Sequence, residues 1–375
     1  MTTEKSTPAL AEHARPPARR GSLWTAFWIA IAVAVLAVVA ANARQGAVSD
    51  RIANPGVTGA PRPVRPLLGF EHWIPLIHIG TLIGMIALVT AFFVAWRRFP
   101  RHPVLVMALM TTLIVWQDPI MNWAPYAVYN PDLWHWPEDW PLASISPTVE
   151  PFVVFGYASF YLGPYFPAIW MLRRLQAGRG PESFVWRHPL ISLALLLLVI
   201  GFVMDAILEI SLVSSGMYIY SQVIPWGSVF TGTTHQFPLI WESVMVTFVM
   251  IPAGVLLYRD DTGRTVAEKL AQRARVFPAR PFAGMFAVMF VIINVAYFAY
   301  GAGFGIIRAT KVATSVACPW PYPEAKVYDP QGFYAKAGAP GPYSEGKWNT
   351  WMTAQPDGRP DVPTSPTGPC APGKG

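Results

Sequence analysis

Seven separate stretches of this chain are long and apolar enough to cross a lipid bilayer, which restricts the folds open to it. Inside a bilayer no water satisfies the backbone, so a span must be a helix or a strand of a closed barrel. Continuous apolar runs of about 20 residues are the helical case. The runs are Leu23–Ala41, Trp73–Trp96, Val104–Trp123, Val149–Leu172, Leu190–Val213, Phe237–Leu257 and Phe282–Gly305. The expected fold is therefore all-α, a polytopic membrane helix bundle of about seven transmembrane helices. Pro164 and Pro167 interrupt the fourth run, and Pro119 should kink or end the third.

Composition agrees, since only 13% of residues are charged where a soluble domain carries roughly 25%. The net charge of +7 does not point to nucleic acid, because the basic residues lie between the spans. Arg97, Arg98, Arg101, Arg173, Arg174, Arg179 and Arg187 and the Arg-rich stretch 259–280 fall on one side. The loops between spans 3 and 4 and between spans 5 and 6 have neither Lys nor Arg. This places the N-terminus inside and the C-terminus outside, with only Arg44, Arg51, Arg62 and Arg65 dissenting. Arg19–Arg20, the apolar run and Ala41-Asn42-Ala43 also permit a cleaved signal peptide, which leaves the other six spans oriented alike.

Residues 1–20 are polar and Pro-rich and are expected to be a disordered cytoplasmic tail. Residues 21–310 form the membrane domain, with an amphipathic Arg-rich piece at 260–277 lying at the interface. Residues 311–375 read as an irregular Pro/Gly-rich tail outside the cytoplasm. It holds Cys318 and Cys370, which could pair there.

Ionisable groups in hydrocarbon are costly, so those within spans are functional candidates. Asp205 lies roughly 22 Å along the fifth span, with Glu209 one turn further on the same face. Two such carboxyls cannot both ionise cheaply, and one that keeps its proton can serve as a general acid. The sixth span begins near HQFPLIWES, where His235 and Glu242 share a face if the helix tolerates Pro238. His235 is read either as a proton shuttle or as an interfacial residue. Asp118 and Asn122 end the third span and Glu150 opens the fourth, each with a competing explanation as a helix-end residue. Tyr157, Tyr161 and Tyr165 make a stripe that packing alone would explain. His78 in the second span and Asn294, Tyr297 and Tyr300 in the seventh complete the polar set. Gly301 and Gly305 read as a helix-packing pair. The loop YNPDLWHWPEDW at 129–140 is either a lid or an interfacial anchor.

The expected catalytic core is thus Asp205, Glu209 and Glu242. Lining groups would be His235, Asn294, Asn122, Asp118, Glu150, Tyr157 and His78. No Lys lies in the seventh span to carry retinal, and no HExxH or phosphate-cradling loop occurs. A metal held by His235 with the three acids is conceivable, but its spacing matches no known signature.

The segments QDPIMNW at 117–123, SPTVEPFVVFGY at 146–157 and DAILE at 205–209, with the span pattern, resemble the AveC family. That family is named for the spirocyclase of avermectin biosynthesis. The resemblance covers most of residues 20–320 and implies a bacterial cytoplasmic-membrane protein of secondary metabolism. The implied activity is spiroketal formation from a hydroxy-ketone polyketide, with dehydration, needing no cofactor and no metal. The expected partner is an apolar small molecule or lipid. A non-enzymatic lipid-binding protein or a proton-coupled transporter is the alternative.

Overall fold

The computed structural model describes residues 67–317 apart from 126, 138–139 and 153–155, together with scattered positions between 26 and 42. The chain divides into two units, Met1–Asn42 and Ala43–Gly375. The first is helical where described, with Ile29, Val33 and Val38 exposed. The tail 1–20, the choice between first span and signal peptide, and Cys318 and Cys370 lie wholly or largely outside the described residues.

In the second unit, α1 covers Trp73–Arg98, and α2 (Pro103–Leu113) runs through a 3-10 turn into α3 (Asp118–Trp123). There follow α4 (Tyr157–Leu162), α5 (Tyr165–Ala177), α6 (Phe184–Arg187) and α7 (Pro189–Ser215). Last come α8 (Leu239–Met245), α9 (Thr247–Leu257), α10 (Val266–Arg273) and α11 (Pro281–Thr310). Among the described residues five segments are long and apolar enough to cross a membrane: α1, α2–α3, α7, α8–α9 and α11. The 3-10 turn at Ile114–Gln117 is how the second of them accommodates Pro119.

The fourth expected span is the main departure. Among the described residues, α-helix there is confined to α4 and α5, which meet at Gly163 and Pro164, and neither is long enough to cross alone. Upstream, Glu150 is not in a first helical turn. Its carbonyl accepts from Trp136 N at 2.9 Å, and Phe152 N donates to Trp134 O at 3.0 Å. Glu150 therefore sits on extended chain paired with the 134–136 loop, outside the five spans.

Ile191, Leu195, Val199, Val203 and Ile207 are all exposed on α7, at four-residue spacing. A stripe of that kind would be an aggregation surface in water and is the face a helix offers to lipid. The opposite face packs closely on α9. A Cβ on Gly201 would fall 2.7 Å from Met250 Sδ, and one on Gly254 would fall 2.5 Å from Leu197 Cδ1. On α11 the close approaches are at Gly284 against Val276 O, and at Gly301 and Gly303 against Met121 and Met245, whereas Gly305 faces open space. The Gly301–Gly305 pair expected from spacing is thus only half used.

Two short antiparallel ladders close one end of the bundle. Helix α7 stops at Gly216, whose φ of 81° is the left-handed cap that glycine adopts without strain. The chain then enters β2 (Tyr218–Tyr220), which pairs with β1 (Ala127–Tyr129) in the register Ala127↔Tyr220 and Tyr129↔Tyr218. Strand periodicity puts those four residues on one face. β3 (Gln222–Val223) pairs with β4 (Ser315–Val316), so the start of the expected irregular tail is ordered. The amphipathic piece is α10, opened by a Thr265–Glu268 capping box and buried through Ala267 and Ala271.

Candidate active site: a carboxyl and tyrosine cavity

The helices and the β1–β2 ladder enclose a cavity of about 400 Å³. Its apolar wall includes Met121, Phe160, Met204, Leu208, Leu212 and Val246. Its polar wall includes Asp118, Asn122, Glu209, Glu242 and seven tyrosines and, among the described residues, no Lys or Arg. Asp118 ends one span, Glu209 lies in the last third of α7, Glu242 opens α8, and Tyr297 and Tyr300 lie late in α11. Alternating helix direction brings all of these to the same end of the bundle.

Two polar clusters share this cavity. In the first, Tyr157 and Tyr297 both donate from Oη to Asp118 Oδ1, Tyr297 at 3.0 Å. The two hydroxyls are themselves 3.0 Å apart. Asn122 Nδ2 donates to Asp118 Oδ2 at 3.4 Å and to Glu150 Oε2 at 2.8 Å, and Ser146 Oγ donates to that same Glu150 oxygen at 2.6 Å. Burial, and then the charge of neighbouring Asp118, pushes Glu150 well above the usual carboxylate range.

The second cluster joins the core expected from sequence. Tyr300 Oη donates to Glu242 Oε1, while Glu242 Oε2 has no hydrogen-bond partner in the structure. The Tyr220 hydroxyl faces both Glu209 and Glu242. Asp205 is 0% exposed and does not reach the cavity; it lies close to Glu242 and Glu209, beside Ser243. Neither Asp205 oxygen makes a full hydrogen bond. Tyr297 and Tyr300, with ring centroids 5.8 Å apart, join the two clusters along α11.

Of the residues singled out in the sequence, Asp118, Asn122, Tyr157, Glu209 and Glu242 line the cavity, with Glu150 and Asp205 behind it. Three others are placed elsewhere. His235 precedes α8, because the helix begins only after Pro238, and its ring packs on Phe230 at 5.1 Å. It therefore does not share a helix face with Glu242, and among the described residues no three His, Cys, Asp or Glu converge as a metal site. Asn294 accepts from Trp116 Nε1 and Gln117 Nε2, each at 3.0 Å, and so ties α11 to the 3-10 turn. His78 stacks on Trp134 at 4.3 Å, and its Nε2 accepts from Trp134 N at 2.9 Å. It thereby anchors the aromatic loop to α1.

His78→Ala should therefore cost about 1 kcal/mol locally, by removing the acceptor of a part-buried N–H. Hydrogen exchange at the Trp134 amide should accelerate while α1 is unchanged. Unaltered exchange there would show that the contact holds nothing.

Sequence reasoning missed Tyr129, Tyr218 and Tyr220 as cavity walls. The period-2 spacing of Tyr218 and Tyr220 in YIY was the available signal for two of them. It also missed buried Arg308, which donates to Trp123 O at 2.7 Å and stacks over the Trp123 ring.

The fold and site define a class, a polytopic membrane helix bundle with a carboxyl- and tyrosine-lined cavity inside its spans. A family model described as spirocyclase AveC-like matches residues 96–328, well over half of the chain, and the chain belongs to that family. No curated protein and no solved structure matches it.

Proposed function

We propose that this protein is a membrane-embedded acid/base enzyme that closes a ring with loss of water on an apolar hydroxy-ketone polyketide or lipid. The observation that carries the reading is the cavity itself, in which Asp118, Glu209 and Glu242 meet an apolar wall with no Lys or Arg among the described residues that line it. Family membership supports the same class of chemistry.

Carboxyls crowded away from water without a basic partner cannot all carry charge. A mixed set of protonated and ionised carboxyls suits ketal chemistry, as it does glycosidic centres. A hemiketal loses its hydroxyl as water once an acid protonates it, leaving an oxocarbenium ion. A second hydroxyl captures that cation and gives up its proton. Glu242, with Oε2 unpartnered, is the group assigned to the leaving oxygen. Glu209 stabilises the cation across the cavity, and Asp205 biases their charges from behind. Tyr220 and Tyr300 orient the carboxyls. The N-in orientation puts this chemistry in the outer half of the bilayer, reached by a substrate dissolved in lipid.

Mass spectrometry of lipids and polyketides from cells with and without the protein tests this reading. A product lighter by one water, or a shifted isomer ratio, is expected only where the protein is present. Transport into proteoliposomes with the substrate recovered chemically unaltered would overturn the enzyme reading in favour of carriage.

A further inference from the structure

We propose that Asp118 and Glu150 form a second acid–base centre on this cavity, a carboxyl pair sharing one proton, in which Asp118 receives the proton of the attacking hydroxyl through Tyr157 and Glu150 positions it. The proposal rests on the acid/base reading above and assigns that reading's missing base.

The geometry begins with Asn122. Its single Nδ2 donates to both carboxyls, at 3.4 and 2.8 Å, so the two acids lie within one amide's reach of each other. Glu150 Oε2 is saturated by Asn122 and Ser146, while Oε1 is buried and no donor among the described residues reaches it. An ionised Glu150 would hold that bare oxygen beside a second carboxylate. A protonated Glu150 instead has an O–H to give, and Asp118 is its side-chain hydrogen-bonding neighbour. The groups facing the pair are Asn122 beside Asp118 on α3, Ser146 before Glu150, Tyr129 from β1, Tyr157 and Tyr161 from α4, Glu209 from α7 and Tyr297 from α11, and none of them is cationic. One proton between two carboxyls is therefore the arrangement that avoids adjacent charges.

Only Asp118 of the pair lines the cavity, flanked by the hydroxyls of Tyr157 and Tyr297. The step balances as a relay. The substrate hydroxyl passes its proton to Tyr157 Oη as Tyr157 passes its own to Asp118 Oδ1. The freed oxygen lone pair forms the new C–O bond to the cationic carbon. Asp118 gains one proton, and the water that leaves carries the proton supplied from the Glu242 side.

Two measurements on the full chain in detergent test the pair. In the first, thermal unfolding is followed between about pH 5 and pH 8, the range above an ordinary carboxylate's pKa. A carboxyl that keeps its proton when folded contributes stability at low pH that is lost as pH rises. Wild type should therefore lose more stability across that range than Glu150→Gln, whose amide has no proton to release. Parallel curves would overturn the shared proton. The second measurement uses a synthetic long-chain dihydroxy ketone as probe. Asp118→Asn should lower kcat by about 10²–10⁴-fold with KM little changed. Glu150→Gln should shift the pH profile of kcat, and Glu150→Asp should restore it toward wild type. An unchanged kcat in Asp118→Asn would overturn its role as base. A probe untouched by wild type would instead count against the enzyme reading, while the unfolding comparison still decides the pair. If Glu150→Gln does not fold, the infrared acid-carbonyl band of wild type at neutral pH replaces that comparison. A shift of a protonated-acid band in Asp118→Asn, which removes the carboxylate that accepts from it, supports the pair, and an unchanged band overturns it.

Discussion

Glu242→Gln should slow loss of water by about 10²–10⁴-fold while the protein still inserts and folds, the size of effect expected for removing a general acid. The substitution is nearly isosteric, and the amide oxygen can still accept from Tyr300, so the α8–α11 contact survives. What disappears is the proton on Oε2, the oxygen left without a partner. Glu242 lies in the first turn of a helix, where a carboxylate is ordinarily favoured by the dipole. Under the proposed role it carries the proton to be transferred, close to Asp205 and Glu209. Single-turnover kinetics with the dihydroxy-ketone probe reads the chemical step apart from binding. A rate equal to wild type, with an unaltered melting temperature, would remove Glu242 from the acid role. Tyr300→Phe should cost less, since it removes an orienting bond and leaves the transferable proton.

Gly254→Leu should lower the melting temperature sharply, through an overpacking cost of at least about 1–3 kcal/mol. Even a Cβ there meets Leu197 Cδ1 at 2.5 Å and Cδ2 at 3.1 Å, with Tyr165 Cδ2 at 3.3 Å. Leu197 is fully buried and cannot swing away without opening the α7–α9 contact. Gly201, one turn from Asp205, makes the reciprocal approach to Met250 and Thr247. Since α7 carries Asp205 and Glu209 and α8–α9 carries Glu242, prising them apart should reduce turnover as well as stability. Gly305→Leu is the control, because nothing lies within 4 Å of the Cβ it would add. Equal melting temperatures for the Gly254 and Gly305 variants would refute this packing account.

The spans beginning near Trp73, Val104, Leu190, Phe237 and Phe282 were legible because lipid demands a long unbroken apolar run. Their observed ends differ from the sequence reading by a few residues. The stretch around Glu150 was not, because an apolar run looks alike whether it continues as helix or folds back as extended chain. Pairing of Glu150 with Trp136 and of Phe152 with Trp134, 14 and 18 residues earlier in the chain, made that choice. The acids were visible as costly residues, but their partners were not. Nothing local to Asp118 says that Tyr157 and Tyr297, 39 and 179 residues away, will supply its hydrogen bonds. His235 shows the opposite failure, since its seven-residue spacing from Glu242 was real but Pro238 started the helix too late to use it.

By itself the sequence determined that this chain is a helical membrane protein and which of its residues would be expensive to bury. Hydrophobic run length and the cost of charge in hydrocarbon are properties of each segment, independent of its neighbours. Only the tertiary structure decided which costly groups share a cavity. It set Glu209 and Glu242 on the wall with Asp205 behind them, and drew Asp118 and Glu150 together through Asn122. It sent His78 and Asn294 to hold loop and helix instead. Those outcomes depend on helix rotation and close approach at glycines, which no single segment specifies and which packing against its neighbours resolves.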